Sequence, residues 1–393
     1  MKIGFVYDAL YPYLKGGAEK RYHELATRLR ARHEVHYLSW RFWSGEPDAS
    51  LDGIALHGIG SPGRFYGDDG KRTVAEAAAF AARLLPALLR ERFDLIDCSA
   101  TPYLPLSATW LASRLTGTPL VATWHEYWGE YWDSYLPHRP AVARAARLLE
   151  ASCAGMGDVR VAVSQFTARR LMKARGGAPV RVIGNGVSLG QIADVTPAKS
   201  RSDVIFVGRL IEDKQVDLLL QAVAQLRMAF PRLRCQIVGD GPQRSSLEAL
   251  ARSLEVADLV RFAGSVSGDE VIRLMKSAKV LAFPSRREGF GISVIEAQAC
   301  GLVPVVVDSP LSAASTLIHD GVDGIVCAES AEALAASIGS LLGDRPRLTA
   351  MRARARQAAI AWDWDTIAGQ MEAVYRQTIA ARATGRRSLQ ARS

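Results

Sequence analysis

Short apolar runs alternate with longer stretches of helical periodicity from one end of the chain to the other. In the first half the apolar runs predict strands at Lys2–Tyr7, Glu34–Leu38, Leu95–Cys98, Leu120–Thr123, Arg160–Val163 and Val180–Ile183. Helical spacing between them predicts helices that include Ala18–Arg32, Val74–Arg90 and Phe166–Ala174. A Pro/Ser/Lys-rich stretch, Asp194–Asp203, interrupts the alternation and reads as a linker. The pattern then restarts with strands at Val204–Val207, Cys235–Val238, Val260–Ala263, Val280–Phe283 and Val303–Val307, separated by helices such as Asp217–Ala229 and Ser245–Leu254.

Two successive α/β halves predict two Rossmann-like, doubly wound parallel-sheet domains facing across a cleft, covering residues 1–193 and 203–365. A late helix, 366–381, is expected to pack back across the first domain, and residues 382–393 are expected to form a disordered tail. Ligands of such sheets bind beyond the carboxyl ends of the strands, so the segments following the strands carry the candidate chemistry.

The richest of these segments is Ser285–Gly301, where Glu288 and Glu296 flank a Gly-Phe-Gly turn between an apolar strand and a helix start. Free backbone N–H groups at such a turn favour an anion, and two acceptor-only carboxylates suit sugar hydroxyls. Together they suit a sugar nucleotide. Val207-Gly-Arg-Leu-Ile-Glu-Asp-Lys214 ends another strand, and there Arg209, a planar fork, and Lys214, a point charge, can converge on a diphosphate. In the first half, Gly16-Gly17 opens a helix and lets the backbone approach a phosphate. That segment is neither GxGxxG nor a Walker A loop, which argues against NAD or P-loop chemistry.

With these pieces together the chain resembles the retaining glycosyltransferases of family 4, which have the GT-B fold. The resemblance rests on Gly16-Gly17, Asn185-Gly186-Val187, Gly208-Arg209-Leu210 with Lys214, Val238-Gly239-Asp240-Gly241-Pro242 and the Glu288…Glu296 segment, and spans nearly the whole chain. It implies that Glu296 grips the donor ribose, while Glu288 and the backbone amides of Phe290, Gly291 and Ile292 hold the donor sugar. Gly16, Gly17 and Gly239 would line the donor, and Arg209 and Lys214 would neutralise the leaving diphosphate, which takes the acceptor's proton. His125, at a strand's carboxyl end, would approach the reacting centre. The implied activity is retaining, metal-independent hexosyl transfer from a UDP- or GDP-linked sugar to a hydroxyl acceptor, with no cofactor beyond the donor. One departure stands out: where the family often has Gly-Gly and then a Glu after the strand, this chain reads Asp308-Ser-Pro-Leu-Ser-Ala-Ala-Ser315.

Trp124, Trp128, Trp132 and Tyr135 fall on one face if residues 124–135 are helical, and this aromatic face is the acceptor-side candidate. The loop Gly58–Gly70 is a second. His125 does not open a metal motif, since the fourth residue beyond it is Gly129, and Asp363-Trp-Asp365 reads as helix capping, so no metal is implied. Two other readings compete: a nucleotide-sugar epimerase or hydrolase of the same fold, and a non-catalytic partner subunit.

Composition adds little. At 393 residues, with 49% hydrophobic and 23% charged positions, the chain fits two globular domains. No apolar run approaches the ~20 residues of a membrane span, and Met1–Asp8 leads straight into a strand, so no leader is expected. Five scattered cysteines predict reduced core thiols and a cytoplasmic protein. The net charge of +9, concentrated in the first half and the tail, suggests acidic substrates or peripheral contact with the inner membrane face. No nucleic-acid motif accompanies it.

Overall fold

The computed structural model describes residues 1–63, 65, 73–174 and 180–390. The chain divides into two compact units, Met1–Asn185 with Asp365–Ser393, and Gly186–Trp364.

The first unit is built on an eight-stranded sheet. Its strands are β1 (Lys2–Val6), β2 (Glu34–Ser39), β3 (Asp48–Leu51), β4 (Ile54–Gly58), β5 (Leu95–Ser99), β6 (Leu120–Trp124), β7 (Val159–Ala162) and β8 (Arg181–Val182), in the order β3-β4-β2-β1-β5-β6-β7-β8. All neighbours pair in parallel except the edge pair β3–β4. That antiparallel hairpin turns through Asp52-Gly53, both at positive φ, the geometry in which Asp-Gly matches the strand twist. The helices are α1 (Gly17–Leu29), α2 (Val74–Arg90), α3 (Tyr103–Thr116), α4 (Tyr131–Tyr135), α5 (Pro140–Cys153) and α6 (Gln165–Ala174). β1 reads Ile3, Phe5, Val6 fully buried, as a strand covered by helices on both faces must.

The second unit holds β9 (Val204–Val207), β10 (Cys235–Val238), β11 (Val260–Gly264), β12 (Val280–Phe283), the short β13 (Arg287–Glu288), β14 (Val303–Val307), the short β15 (Leu311–Ser312) and β16 (Ile325–Cys327). Its main sheet runs β11-β10-β9-β12-β14-β16, all parallel, and β13 pairs with β15. Helices α7 (Leu189–Asp194), α8 (Val216–Leu226), α9 (Arg244–Ser253), α10 (Gly268–Lys276), α11 (Ile292–Cys300), α12 (Ala331–Gly343) and α13 (Arg345–Ala359) complete it. The core packs Val204, Phe206, Val280, Val303 and Val305 of the strands against Leu219, Leu220, Val223, Leu334 and Ile338 of the helices.

In both units the strand order reverses at a central pair, β1/β5 in the first and β9/β12 in the second. Crossover connections leave the sheet in opposite directions there, opening a crevice at the carboxyl ends of the strands.

Helix α14 (Trp364–Gln390) returns to the first unit. Its Tyr375 hydroxyl donates to Asp97 Oδ2 on β5 at 2.5 Å, and Met371 Sδ lies 3.4 Å from the buried Arg21 guanidinium of α1. Asp97 also accepts from Tyr22 at 3.0 Å and Thr123 at 2.8 Å. Burial nonetheless lifts its carboxyl above the usual range, the hydrogen bonds pulling the other way.

Several expectations change. The division falls at Asn185–Gly186, so residues 186–193 group with the second unit. The supposed linker is strapped onto α10: Ala198 N–H donates to the Arg273 carbonyl at 3.0 Å, and Lys276 Nζ donates to the Val195 carbonyl at 2.5 Å. Residues 382–390 continue α14 rather than forming a tail, and 391–393 lie outside the described residues. The five cysteines are buried and unbridged. No helix among the described residues is long and apolar enough to cross a membrane.

Candidate active site

The second unit gathers its charged candidates at the β9/β12 reversal. β9 ends at Val207, and Gly208-Arg209 carries the chain outward. Gly239, just past β10, has φ +132°, and a Cβ there would run into the Gly208 carbonyl. Only glycine lets these two strand ends lie so close. Arg209 is exposed, and its guanidinium has no hydrogen-bond or ion-pair partner among the described residues.

Lys214 closes a short 3-10 turn, Glu212–Lys214, and the next residue, Gln215, adopts the left-handed conformation at φ +45° before α8 begins. Ties to neighbouring segments hold this turn: Asp213 accepts from Arg287 Nε at 2.9 Å, and Gln215 Nε2 donates to Glu329 Oε1 at 2.9 Å. Arg286 Nε donates to the same Glu329 at 2.8 Å. The result brings Lys214 Nζ into an ion pair with Glu288 on β13, both side chains half-buried.

Beyond Glu288, Phe290 is buried edge-on against Trp362 with ring centroids 5.4 Å apart. Gly291, at φ +108°, turns the chain into α11. Ile292 opens that helix and Glu296 sits one turn in, half-buried. The helix thus starts four residues beyond Glu288, and the N–H groups of its first turn offer a place for anionic oxygen. The departing segment, Asp308–Ser315, braces Glu288 from behind: β15 pairs with β13, and Ala313 N–H donates to the Glu288 carbonyl at 2.8 Å.

In the first unit Gly16 precedes α1 and Gly17 opens it, both exposed at the carboxyl end of β1. The space a Gly16 side chain would fill is taken by the Glu19 carboxylate, which also accepts from the Tyr7 hydroxyl at 3.3 Å. Glu19 lies within the glycine-pair segment, yet the sequence reading gave it no part.

One turn further along α1, Tyr22 meets the His125 ring edge-on at 6.1 Å. His125 follows β6 directly. Its Nε2 is shielded from solvent without a hydrogen-bond partner among the described residues, and its pKa is pushed down to about 3, by burial first and then by the charge of Arg21. The ring is therefore a neutral imidazole at physiological pH. Arg21 is fully buried and held by the Gly184 carbonyl and Asn185 Oδ1.

The aromatic candidates part company. Trp124 is the last residue of β6, fully buried between Tyr103 and Tyr127 at 6.1 and 5.9 Å, so it belongs to the core and cannot form an acceptor surface. The condition for one aromatic face, a helix over 124–135, is met only in α4, because the chain first leaves the sheet through a turn at Gly129, φ +56°. Trp128 and Trp132 remain half-buried with their rings 4.6 Å apart. Of the loop Gly58–Gly70, residues 64 and 66–70 lie outside the described residues. Asp365 of the Asp-x-Asp stretch accepts from Arg28 Nε at 2.6 Å.

Two family models together span most of the chain. "Glycosyltransferase Family 4" matches residues 15–191 and "Glycosyl transferases group 1" matches residues 191–359. A D-inositol 3-phosphate glycosyltransferase of Kineococcus radiotolerans is 30% identical over 94% of this chain and 92% of its own length. A GDP-mannose-dependent alpha-(1-6)-phosphatidylinositol monomannoside mannosyltransferase of Mycobacterium tuberculosis is 32% identical over 57% of this chain and 63% of its own. Among solved structures, Anabaena HepE in complex with UDP and glucose superposes with a TM-score of 0.74 at 21% identity, covering 96% of this chain and all of that one. With the doubly wound sheets and the strand-end residues that they place, these likenesses settle the family: the chain belongs to glycosyltransferase family 4 and is a glycosyltransferase of the GT-B fold.

Proposed function

We propose that the protein transfers a sugar, with retention at the anomeric carbon, from a UDP- or GDP-linked donor to a hydroxyl of a ring-shaped polyol or sugar acceptor. The observation that carries this reading is the Lys214–Glu288 pair at the β9/β12 reversal, which joins the loop after β9 that also carries Arg209 to the segment that leads into α11. Lys214 and Arg209 neutralise the diphosphate as the bond from anomeric carbon to phosphate oxygen breaks and the electron pair passes to that oxygen. Glu288 orients the sugar hydroxyls and Glu296 takes the ribose diol, with the amides of Phe290, Gly291 and Ile292 supplying donors and Gly239 giving close backbone approach. The acceptor oxygen attacks the face that the leaving group occupied and passes its proton to the departing phosphate.

His125, a neutral ring at the carboxyl end of β6, offers a hydrogen bond without adding charge. The two mycobacterial-type and inositol relatives support a polyol acceptor and a GDP-linked donor; the Anabaena structure supports a UDP-linked one.

The test pairs UDP-glucose and GDP-mannose with D-inositol 3-phosphate, glucose and mannose as acceptors, reading nucleotide release and the anomeric configuration of the product by NMR. Transfer with retention is expected. An inverted product sinks the mechanism, and conversion of the donor without any acceptor would show an epimerase or hydrolase instead.

A further inference from the structure

The segment that follows His125 leaves the sheet as irregular chain, yet it is held at its backbone from two sides. From α5, the buried Glu150 carboxylate accepts four hydrogen bonds. Oε1 takes the Tyr103 hydroxyl at 2.6 Å and Trp128 N–H at 2.7 Å; Oε2 takes Gly129 N–H at 2.7 Å and Trp132 Nε1 at 3.2 Å. From α6, Arg170 donates from Nε to the Tyr127 carbonyl at 2.9 Å and from Nη2 to the Trp128 carbonyl at 2.7 Å. Donors and acceptors of one turn are thus met by opposite charges on two helices. A buried carboxylate normally resists ionisation, and burial does raise this one, while its four donors oppose that rise.

The outcome is an aromatic shelf whose first ring, Trp128, rides on irregular backbone and whose others ride on α4. Trp128 packs against Trp132 at 4.6 Å and edge-on to Tyr135 at 4.8 Å, and its indole N–H is held by Glu126 Oε2 at 2.6 Å. With both indole N–H groups held by carboxylates, the rings present apolar faces, which match the C–H face of a sugar or cyclic polyol. A loop residue that selects substrate needs such support to hold its position.

We propose that Glu150 is the positioning residue of the acceptor site: it does not touch substrate, but sets the Trp128–Gly129 turn and so the shelf that recognises a ring-shaped acceptor. The proposal rests on the transferase reading above. Its most telling variant is Glu150→Gln, which keeps shape and volume. Three of the four donors are N–H groups that cannot reverse, and they lie on both oxygens, so an amide NH2 placed on either side faces an N–H.

Two readouts decide it. Hydrogen exchange at Trp128 and Gly129 is expected to quicken roughly tenfold or more in Glu150→Gln. The acceptor KM is expected to rise about tenfold, with the donor KM unchanged, measured for the best pair from the donor and acceptor panel. Tyr103→Phe, which removes one donor and leaves three, is expected to move both readouts in the same direction but less, and serves if Glu150→Gln folds poorly. Unchanged exchange overturns the proposal, as does faster exchange with an unaltered acceptor KM, or an equal rise in both KM values. Failure of the wild-type chain with every donor–acceptor pair would instead sink the transferase reading and the acceptor role with it, and that failure shows before any substitution is made.

Discussion

The two units share a doubly wound plan with a central reversal of strand order, and furnish their strand ends with opposite materials. In the second unit the β9/β12 reversal is furnished with charge: exposed Arg209, the Lys214–Glu288 pair, and around them Arg287 on Asp213 and Arg286 on Glu329. In the first unit the corresponding ends carry neutral His125, a tyrosine-lined Asp97 and an aromatic segment pinned from below. A polyanionic leaving group needs charge that is already in place. A neutral hydroxylated ring needs shape and edges. On the proposed function, the difference teaches that one doubly wound sheet can serve either partner, with the choice made in the residues just beyond the strands.

Four substitutions or conditions would break or sharpen that contrast. The largest effect should come from Trp124→Ala. This core residue is fully buried, so about 3–5 kcal/mol of stability should be lost, seen in denaturant melts; a melt like that of wild type would restore Trp124 to the surface. Lys214→Ala should do the reverse, leaving the melt nearly unchanged while lowering kcat by about 10²–10³. Full turnover in that variant would remove the charged end from the chemistry.

Gly239→Ala should cost about 2–3 kcal/mol, because its φ of +132° suits glycine and the Gly208 carbonyl occupies the space a Cβ would need. Equilibrium unfolding that matches wild type would show that the strand ends have room to spare.

The smallest effect is the pH dependence set by His125. Its folded-state pKa of about 3 lies below the ordinary 6.5, so the neutral ring is the form that folding favours. Its contribution is complete above pH 6.5 and declines as pH falls from 6.5 toward 3, since the unfolded chain binds a proton that the folded chain refuses. Glu372, held down to about 2 chiefly by its hydrogen bond from Arg376, loses its contribution only below about 4.5. Between pH 6.5 and 4.5, therefore, His125→Asn should flatten the fall in Tm relative to wild type. Parallel Tm curves across that window would exclude a buried neutral histidine.

Much of this was legible beforehand, and the reasons for the rest are physical. Strand-end motifs such as Gly208-Arg209 and Glu288…Glu296 are local, so spacing alone placed them beyond the right strands. The β3–β4 hairpin went unread although Asp52-Gly53 is a strong turn signal, because Asp48–Leu51 is a half-exposed edge strand without an apolar run. The aromatic face failed for another reason. Helical spacing was projected across residues 124–135, but a positive φ at Gly129 and the pull of Glu150 and Arg170 end any helix before Tyr131. Glu150 lies outside every motif, on a helix that buries Ala143 and Cys153 as well. Its role follows from four partners distant in sequence, and no spacing rule reports those.

The return of α14 to the first unit bears on how the molecule is made. Asp97 takes its third hydroxyl from Tyr375, and Arg21 packs on Met371, so a unit begun at Lys2 has to wait for residues past 364 before its buried acid and base are enclosed. A nascent chain would carry a first unit whose sheet is complete but whose last covering helix is missing throughout synthesis of the second unit, which is contiguous. Loss of the last thirty or so residues would consequently injure the domain farthest from them in the gene.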